Sequence, residues 1–451
     1  MFVRKILNKK NKENKIYFFL DRKLLPKNFD IKRFKTIFNK LKVKKIIYCM
    51  PDLNFKSKNF IPSGVSVPLK KSISPILLTP NNDSIGSLHF KLKKKLEKNK
   101  LKKIINSLKK EIAIYRRNKS NISSNNAKEI LEYGCKKVYR KWGFTDTDLS
   151  SIYNKGGQKL NVSLKKLLKY FSNKKSKSIP FYIKEKNLLN AAKKNLGVLD
   201  GSSHFIEFFQ VKKIFNKHFC ESLNIDNDSF FSLIHAGPGD VGRIIHHNIL
   251  DLEKGSFDIK QNQINFYYES YKAASNYAFC NRLYIYKTIK KLLFKFNKVS
   301  FFEIFSDLPH DYIYKFKDTY FHNKGVIKML NKSFCLEKNY KWKNSGSPYI
   351  LPTSPGGNAY IFLPSKNLKS QGLMSHGVGR SLDKIEASRK FKKHGIGGQN
   401  KDFILQKYNK DDINSQSPKS FKDSKLILES IKKNNLAEMI CSLTSLGTLK
   451  A

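Results

Sequence analysis

Two strand-like runs, "HFIEFFQV" from His204 and "FFSLIH" ending at His235, are followed by the turn "AGPGD" and then by "YESYKAASNYAFCNRLYIYKTIKKLLFKF", a stretch without glycine or proline. The last reads as one long helix whose Ala274, Ala278 and Asn281 fall on one side, where small residues permit close packing. Short strands closed by glycine and proline turns, next to a helix of that length, call for a sheet on which the helix can lie.

The remaining segments keep this mixture. "VKKIIYCMPD" reads as a buried strand, Val43 to Met50, broken at Pro51. "FKLKKKLEKNKLKKIINSLKKEIAIYRR" places Leu92, Leu96, Leu101, Ile104, Ile105, Leu108 and Ile112 at helical spacing with lysines on the other face. A polar loop, "NKSNISSNNAK", follows Arg117, and "AKEILEYGCKKVYRKWG" is a second helical segment ending at Gly143. "YILPTSPGGNAYIFLP" returns to strand and glycine turn. Strands and helices alternate without a βαβ rhythm and without an internal repeat, so the expected class is α+β. With 451 residues, 40% of them hydrophobic, the chain can bury a large core.

The formal net charge is +53, from 88 Lys and Arg against 35 Asp and Glu. A polyanion is the natural counterpart of such a surface. Lysine, asparagine, isoleucine and phenylalanine are abundant together, as A/T-biased coding produces in any protein, and that reading of the charge also stands. The two differ in geometry: a binding surface concentrates charge around a site and loses polyanion affinity steeply with salt, whereas drift spreads it evenly. The six cysteines are far apart with no CxxC pair, which excludes a zinc knuckle or disulfide framework and fits a reducing compartment. No apolar run approaches the ~20 residues needed to cross a bilayer, so no membrane partner is expected. Residues 1–44 read as a basic amino-terminal extension, which admits organellar targeting beside a cytoplasmic or nuclear location.

The chemistry lies with the histidines. His204, His235, His322 and His376 sit at strand ends or beside glycine, the usual surroundings of metal ligands. No HxH or HxxxH spacing singles any of them out. In "LMSHGVGRS", His376 is either a nucleophile in a glycine-lined pocket or a histidine in a tight turn, since Gly377 and Gly379 serve both.

At this point the chain resembles a family. "LGVLDGSSHFIE" is similar to the "LGTLGSGNHFIE" segment of RtcB-type RNA ligases, the tRNA-splicing ligases that join a 3′-phosphate or 2′,3′-cyclic phosphate to a 5′-hydroxyl. In the family's order follow likenesses of "IIYCMPDLN" to "MPDVH", "IHAGPGDVG" to "HSGSRGLG", "AASNYAFCNR" to "AANYAxxNR" and "FHNKG" to its "HN" segment. "SPGGNAYIF" resembles "PGSMGTASYIL", "SHGVGRSL" resembles "CHGAGRxMSR", "SPKSFKD" resembles "APxAYKN", and the terminal "SLGTLKA" resembles "PLGVVKG". The resemblance spans residues 45–451, which would form the ligase domain.

It implies a mixed α+β catalytic fold around a metal and nucleotide cleft, and a GTP- and metal-dependent RNA ligase working in tRNA splicing or RNA repair. The histidine that attacks GTP falls at His376, with Arg380 as the fork to the phosphate and Gly377 and Gly379 admitting the phosphate close to the backbone. The metal ligands, usually for two manganese ions, fall at Asp83, His204, His235 and His322. The nucleotide site falls at Ser203, Glu207, Gly356, Gly357 and Lys450. RNA with phosphate ends, such as tRNA halves, is the implied substrate, and an archease-like activator an implied partner. The departures are also clear: Gly86 stands where the family has a metal-bridging cysteine, Ser203 replaces an asparagine, and Asn54 and Gly239 replace a histidine and an arginine. One metal position should then be weakened, with His89 or water as substitute ligands. The alternative is a catalytically degenerate relative that keeps the fold for RNA binding.

Overall fold

Alternation decides the first strands. In Glu13–Phe18 the side chains of Asn14, Ile16 and Phe18 are buried while those between them reach the surface, the period-2 pattern of a half-buried strand. In the computed structural model, which describes residues 1–7, 13–41, 43–44, 46–55, 61–74, 77, 82–112, 122–172, 185–201, 203–252, 263–366, 369–391, 403–408 and 414–451, this strand belongs to a six-stranded sheet. Its order is Phe2–Leu7, Glu13–Phe18, Ile46–Asn54, Ser63–Lys70, Thr319–Lys324, Tyr312–Phe316. The helix Ile31–Lys40 buries Phe34, Ile37 and Phe38, and Phe34 meets Phe18 and Phe55 edge-on. The described part of this amino-terminal segment thus contributes two strands and a helix to the same sheet and its core.

The strand expected over Val43–Met50 runs through Pro51 instead of stopping there. Pairing with Ser63–Lys70 is interrupted between Cys49 and Asn54, and in such a bulge a missing N–H leaves no ladder bond unmade.

The second sheet follows the order Tyr349–Pro352, Ala359–Pro364, Ala437–Lys450, Phe205–Ile214, Ser229–Ala236, Ser84–Leu92, Val299–Pro309, with Ile404–Lys407 parallel to Ala437–Lys450. Ser229–Ala236 is buried along its whole length, which is why "FFSLIH" shows little alternation. A two-stranded ribbon, Val326–Lys328 with Leu373–Ser375, leads directly into His376.

The long helix, Ile264–Phe296, has 33 residues and spans about 50 Å. Asn281 is buried within it, accepting from the backbone N–H groups of Gly197 and Val198 and donating to the carbonyls of Val198 and Gly237. The next residue, Arg282, forms a fully buried pair with Asp307 at 2.8 Å. Removing one partner of such a pair typically costs about 3–5 kcal/mol.

The lysine-rich helix is shorter than its periodicity suggests, Lys98–Glu111, because Leu92 closes the Ser84–Leu92 strand. It buries Leu101, Ile104, Ile105 and Leu108. The second helix, Ser124–Tyr133, is capped by the Ser123 side chain and ends at Gly134, after which short 3₁₀ turns reach Gly143. Residues 118–121 of the expected polar loop lie outside the described residues, and its last five, Ser124 to Lys128, already belong to the second helix. The class is α+β, as the sequence predicts. Among the described residues no helix is long and apolar enough to cross a membrane.

His322 lies in Thr319–Lys324 with no exposed surface. Its Nε2 accepts from the Ser74 N–H at 3.2 Å and its Nδ1 lies 3.3 Å from the Val67 carbonyl. Burial pushes its pKa down to about 4. Because the folded value lies below the unfolded one, the neutral ring contributes its full stability above pH ~6.5, and this is lost as the pH falls toward 4, about 3 kcal/mol in all. We expect urea unfolding at pH 7 and pH 5 to show a loss steeper by about 2 kcal/mol in the wild type than in His322→Gln, which has no such proton site.

Candidate active site

Strand register gathers the first group of side chains. Ser84 pairs with Ala236 and with Pro309, and Phe205 pairs with His235. Asp83, His204 and His310, each one residue beyond a strand, therefore lie with His235 at the same end of the sheet. The Nε2 atoms of His235 and His310 are 2.9 Å apart, His204 Nε2 is 3.6 Å from Asp83 Oδ2, and the rings of His204 and His235 meet edge-on at 4.8 Å. Burial, reinforced by the neighbouring imidazoles, holds His235 well below the ordinary histidine range. His310 is lowered by burial as well, although Asp311 pulls the other way.

His376 joins this group from the other side. Its ring lies 4.6 Å from that of His310. Its Nδ1 is 2.6 Å from Asp52 Oδ2 and 3.0 Å from the Gly325 carbonyl, so Nδ1 carries a proton and Nε2 presents the lone pair of the neutral ring. Burial opposes the charged imidazolium, but the hydrogen bond to Asp52, the charges of Asp52 and Asp311 and the Gly325 carbonyl outweigh it, and the pKa is raised. Tyr349 donates to the His376 carbonyl at 2.6 Å and fixes the turn. Gly379, at φ +70°, leaves room for Asp52: a Cβ there would stand 2.7 Å from the Asp52 carbonyl oxygen.

A second group lies along the same sheet. Glu207 is buried, accepting from Ser445 Oγ at 2.5 Å and from the Gly356 N–H at 3.2 Å. Burial pushes its pKa up to about 7, against the pull of those two donors and of Lys450. Lys450 donates to the His204 carbonyl and lies over the Phe205 ring. Glu207, Gly356 and Lys450 are thus brought together, with Gly357 next in the same turn. Ser203 is exposed beside His204. Arg380 stacks its guanidinium 4.6 Å over Phe421 and donates to the Ser415 carbonyl at 2.7 Å.

Three expectations change. His322 is not brought to this group, because both its nitrogens are taken by backbone partners. His310 stands there instead. His89 is no substitute ligand: its ring stacks on Phe231 and its Nδ1 faces Glu303, and it lies four residues along the strand from the His235 pairing, about 13 Å away. The place that the resemblance gives to a thiolate is filled, since a Cβ on Gly86 would stand 1.6 Å from the Tyr286 hydroxyl. His310, Asp311 and Asp52 are the site residues that sequence reasoning missed. "PHD" after a strand and "MPD" on a bulge are the signals, and both are weak without a register.

The donors are imidazole nitrogens and a carboxylate, a set suited to a borderline divalent ion, and His204 Nδ1 is buried without a hydrogen-bond partner among the described residues. Among the described residues no group of three His, Cys, Asp or Glu side chains already converges on one point. The donors stand as two adjacent pairs, Asp83 with His204 and His235 with His310.

Fold and site together define an α+β protein with a carboxylate-held histidine beside an N/O donor cluster. Residues 35–451 match the family model described as tRNA-splicing ligase RtcB, and the chain belongs to that family. Relatives named tRNA-splicing ligase RtcB include that of Methanococcus maripaludis, 21% identical over 295 residues, 58% of this chain and 61% of the relative. That of Archaeoglobus fulgidus is 21% identical over 56% of this chain and 59% of the relative, and that of Pyrococcus horikoshii 21% identical over 56% and 33%. The chain spans about three fifths or less of the length of these relatives.

If the donor cluster takes Mn²⁺, His310→Ala should weaken Mn²⁺ binding about tenfold or more, while His322→Gln leaves it unchanged. Calorimetric titration of the folded variants measures both.

Proposed function

We propose that this chain is an RNA ligase that works through guanylylation of His376, joining RNA 3′-phosphate or 2′,3′-cyclic phosphate ends to 5′-hydroxyl ends. The observation that carries the reading is the Asp52–His376 hydrogen bond, which holds the proton on Nδ1 and leaves Nε2 free to attack. Nε2 attacks the α-phosphorus of GTP as the bond to pyrophosphate breaks. Where the RNA end is a 2′,3′-cyclic phosphate, water first adds to its phosphorus and the bond to the 2′-oxygen breaks, giving a 3′-phosphate and a 2′-hydroxyl. An oxygen of the RNA 3′-phosphate then takes the guanylate from the histidine, and the RNA 5′-hydroxyl attacks the activated 3′-phosphorus with release of GMP. His376 must be neutral to attack, so its raised pKa sets an acid limb in the rate of the first step.

Asp83, His204, His235 and His310 would hold the divalent ion, which when bound screens phosphate charge and polarises phosphate oxygens. Glu207 would accept from the guanine N1–H and amino group, and Lys450, over Phe205, would anchor base or ribose. Ser203, Gly356 and Gly357 would border the nucleotide, and Arg380 the phosphates. tRNA halves fit the relatives' printed names, and an archease-like activator belongs to the same proposal. The Tyr286 hydroxyl at the thiolate position is the one observation that favours a silent, RNA-binding relative.

Incubation with labelled GTP and Mn²⁺ should give an acid-labile, alkali-stable guanylate adduct that His376→Ala abolishes and Ser375→Ala largely keeps. Labelling of the His376 variant would remove the assignment, and no labelling of the wild type under several metals would favour the silent reading. GTP affinity should also fall as the pH drops through about 7 and Glu207 is protonated. Glu207→Gln should bind more weakly and lose that pH dependence in equilibrium dialysis.

A further inference from the structure

The segment "SPKSFKD" is not used by the reaction outlined above, yet it closes over the turn that carries His376. Ser381 and Leu382 donate backbone bonds to the Ser420 carbonyl, and Lys422 donates one to the Gly379 carbonyl. The Lys422 side chain then runs inward. Its Nζ donates to the carbonyl of Leu53 at 2.5 Å, of Leu24 at 2.7 Å and of Pro51 at 3.4 Å. An ammonium has three protons to give, and each has a backbone acceptor here.

Two of those acceptors, Pro51 and Leu53, flank Asp52 in the stretch where the Ile46–Asn54 strand loses its pairing with Ser63–Lys70. A bulge frees carbonyls that the ladder would otherwise engage, and an ammonium spanning the two sides of one residue fixes the direction of that residue's side chain. Asp52 needs such support. Its Oδ2 faces His376, but its Oδ1 is buried with no hydrogen-bond partner among the described residues, an arrangement that is costly unless charge or geometry compensates. The Lys422 charge acts on Asp52 across this short distance.

We infer that Lys422 is a positioning residue for His376: by clamping the Pro51 and Leu53 carbonyls it aims the Asp52 carboxylate at Nδ1 and so sets which nitrogen of His376 is free. The inference rests on the reading of His376 as the nucleophile, and its test does not require that the adduct form.

A histidine Nδ1–H held by a buried carboxylate gives a far-downfield proton resonance, assigned here by its absence in His376→Gln. In the folded full-length protein, Lys422→Met should lose or broaden that resonance, and Lys422→Arg should restore it, with GTP binding changed less than twofold in both. Should Lys422→Met fail to fold, Lys422→Gln keeps two donors, and its resonance should survive but move upfield. A resonance in Lys422→Met, or in the fallback Lys422→Gln, identical to that of the wild type overturns the inference and leaves Lys422 as a tether of the amino-terminal strands. If the inference holds and the wild type is guanylylated, Lys422→Met should form adduct at least about tenfold more slowly at saturating GTP, a loss in turnover and not in KM.

Discussion

The buried Arg282–Asp307 pair locks the ends of three strands at the point where the donor cluster forms. Arg282 Nε binds Asp307 on the Val299–Pro309 strand, and Nη1 donates to the Ala236 carbonyl and to that of Asn82, at the entry of Ser84–Leu92. Ser84 Oγ and Tyr286 also donate to the same carboxylate. A slip of one residue in any of these strands would turn its side chains to the opposite face and would take Asp83, His235 or His310 out of the group. Only a planar, permanently charged side chain with several donors can reach three strands at once, which gives the arginine of "CNR" a structural reason independent of any ligand.

Burial alone does not set the charge of the imidazoles. His235 and His310 are buried and His376 partly so, yet the first two are lowered and the third is raised. Among the described residues His235 has no carboxylate partner, and the long contact from His310 to Asp311, 3.3 Å, does not overcome the burial of His310. Asp311 also accepts from the Gly325 N–H at 2.6 Å, and so helps to hold the carbonyl that faces His376. The arrangement favours neutral rings at His235 and His310 and one polarised ring at His376, a separation that a single environment cannot supply.

What was legible in the sequence follows the same division between local and long-range causes. Strand ends at His204 and His235, the unbroken helix around Asn281 and the glycine turn at His376 depend on neighbours a few residues away, and each could be read. The choice between His310 and His322 could not be made locally. Both follow strand-like runs, and "FHNKG" looks the more inviting, but His322 lies in the interior of Thr319–Lys324 while His310 lies just past the end of Val299–Pro309. Only the pairing of Ser84 with Pro309 separates them. Asp52 was hidden for a related reason, since Pro51 reads as a strand stop unless a bulge and a distant lysine hold the chain extended.

Gly86 shows how far one position can carry a departure. Its missing side chain is occupied by the Tyr286 hydroxyl, which in turn is bound to Asp307 at 2.7 Å. A thiolate at residue 86 would place a second anion beside that carboxylate and displace the phenol that donates to it, leaving an unpaired lone pair in a buried network. The glycine and the tyrosine are thus coupled through Asp307, and the cluster beside them is restricted to nitrogen and oxygen donors. Such a set lacks the soft ligand that a thiolate supplies and the extra negative charge that would bring a second cation close to the first. Geometry and charge therefore point the same way, toward a group of imidazoles and carboxylates with His376 held by Asp52 beside it.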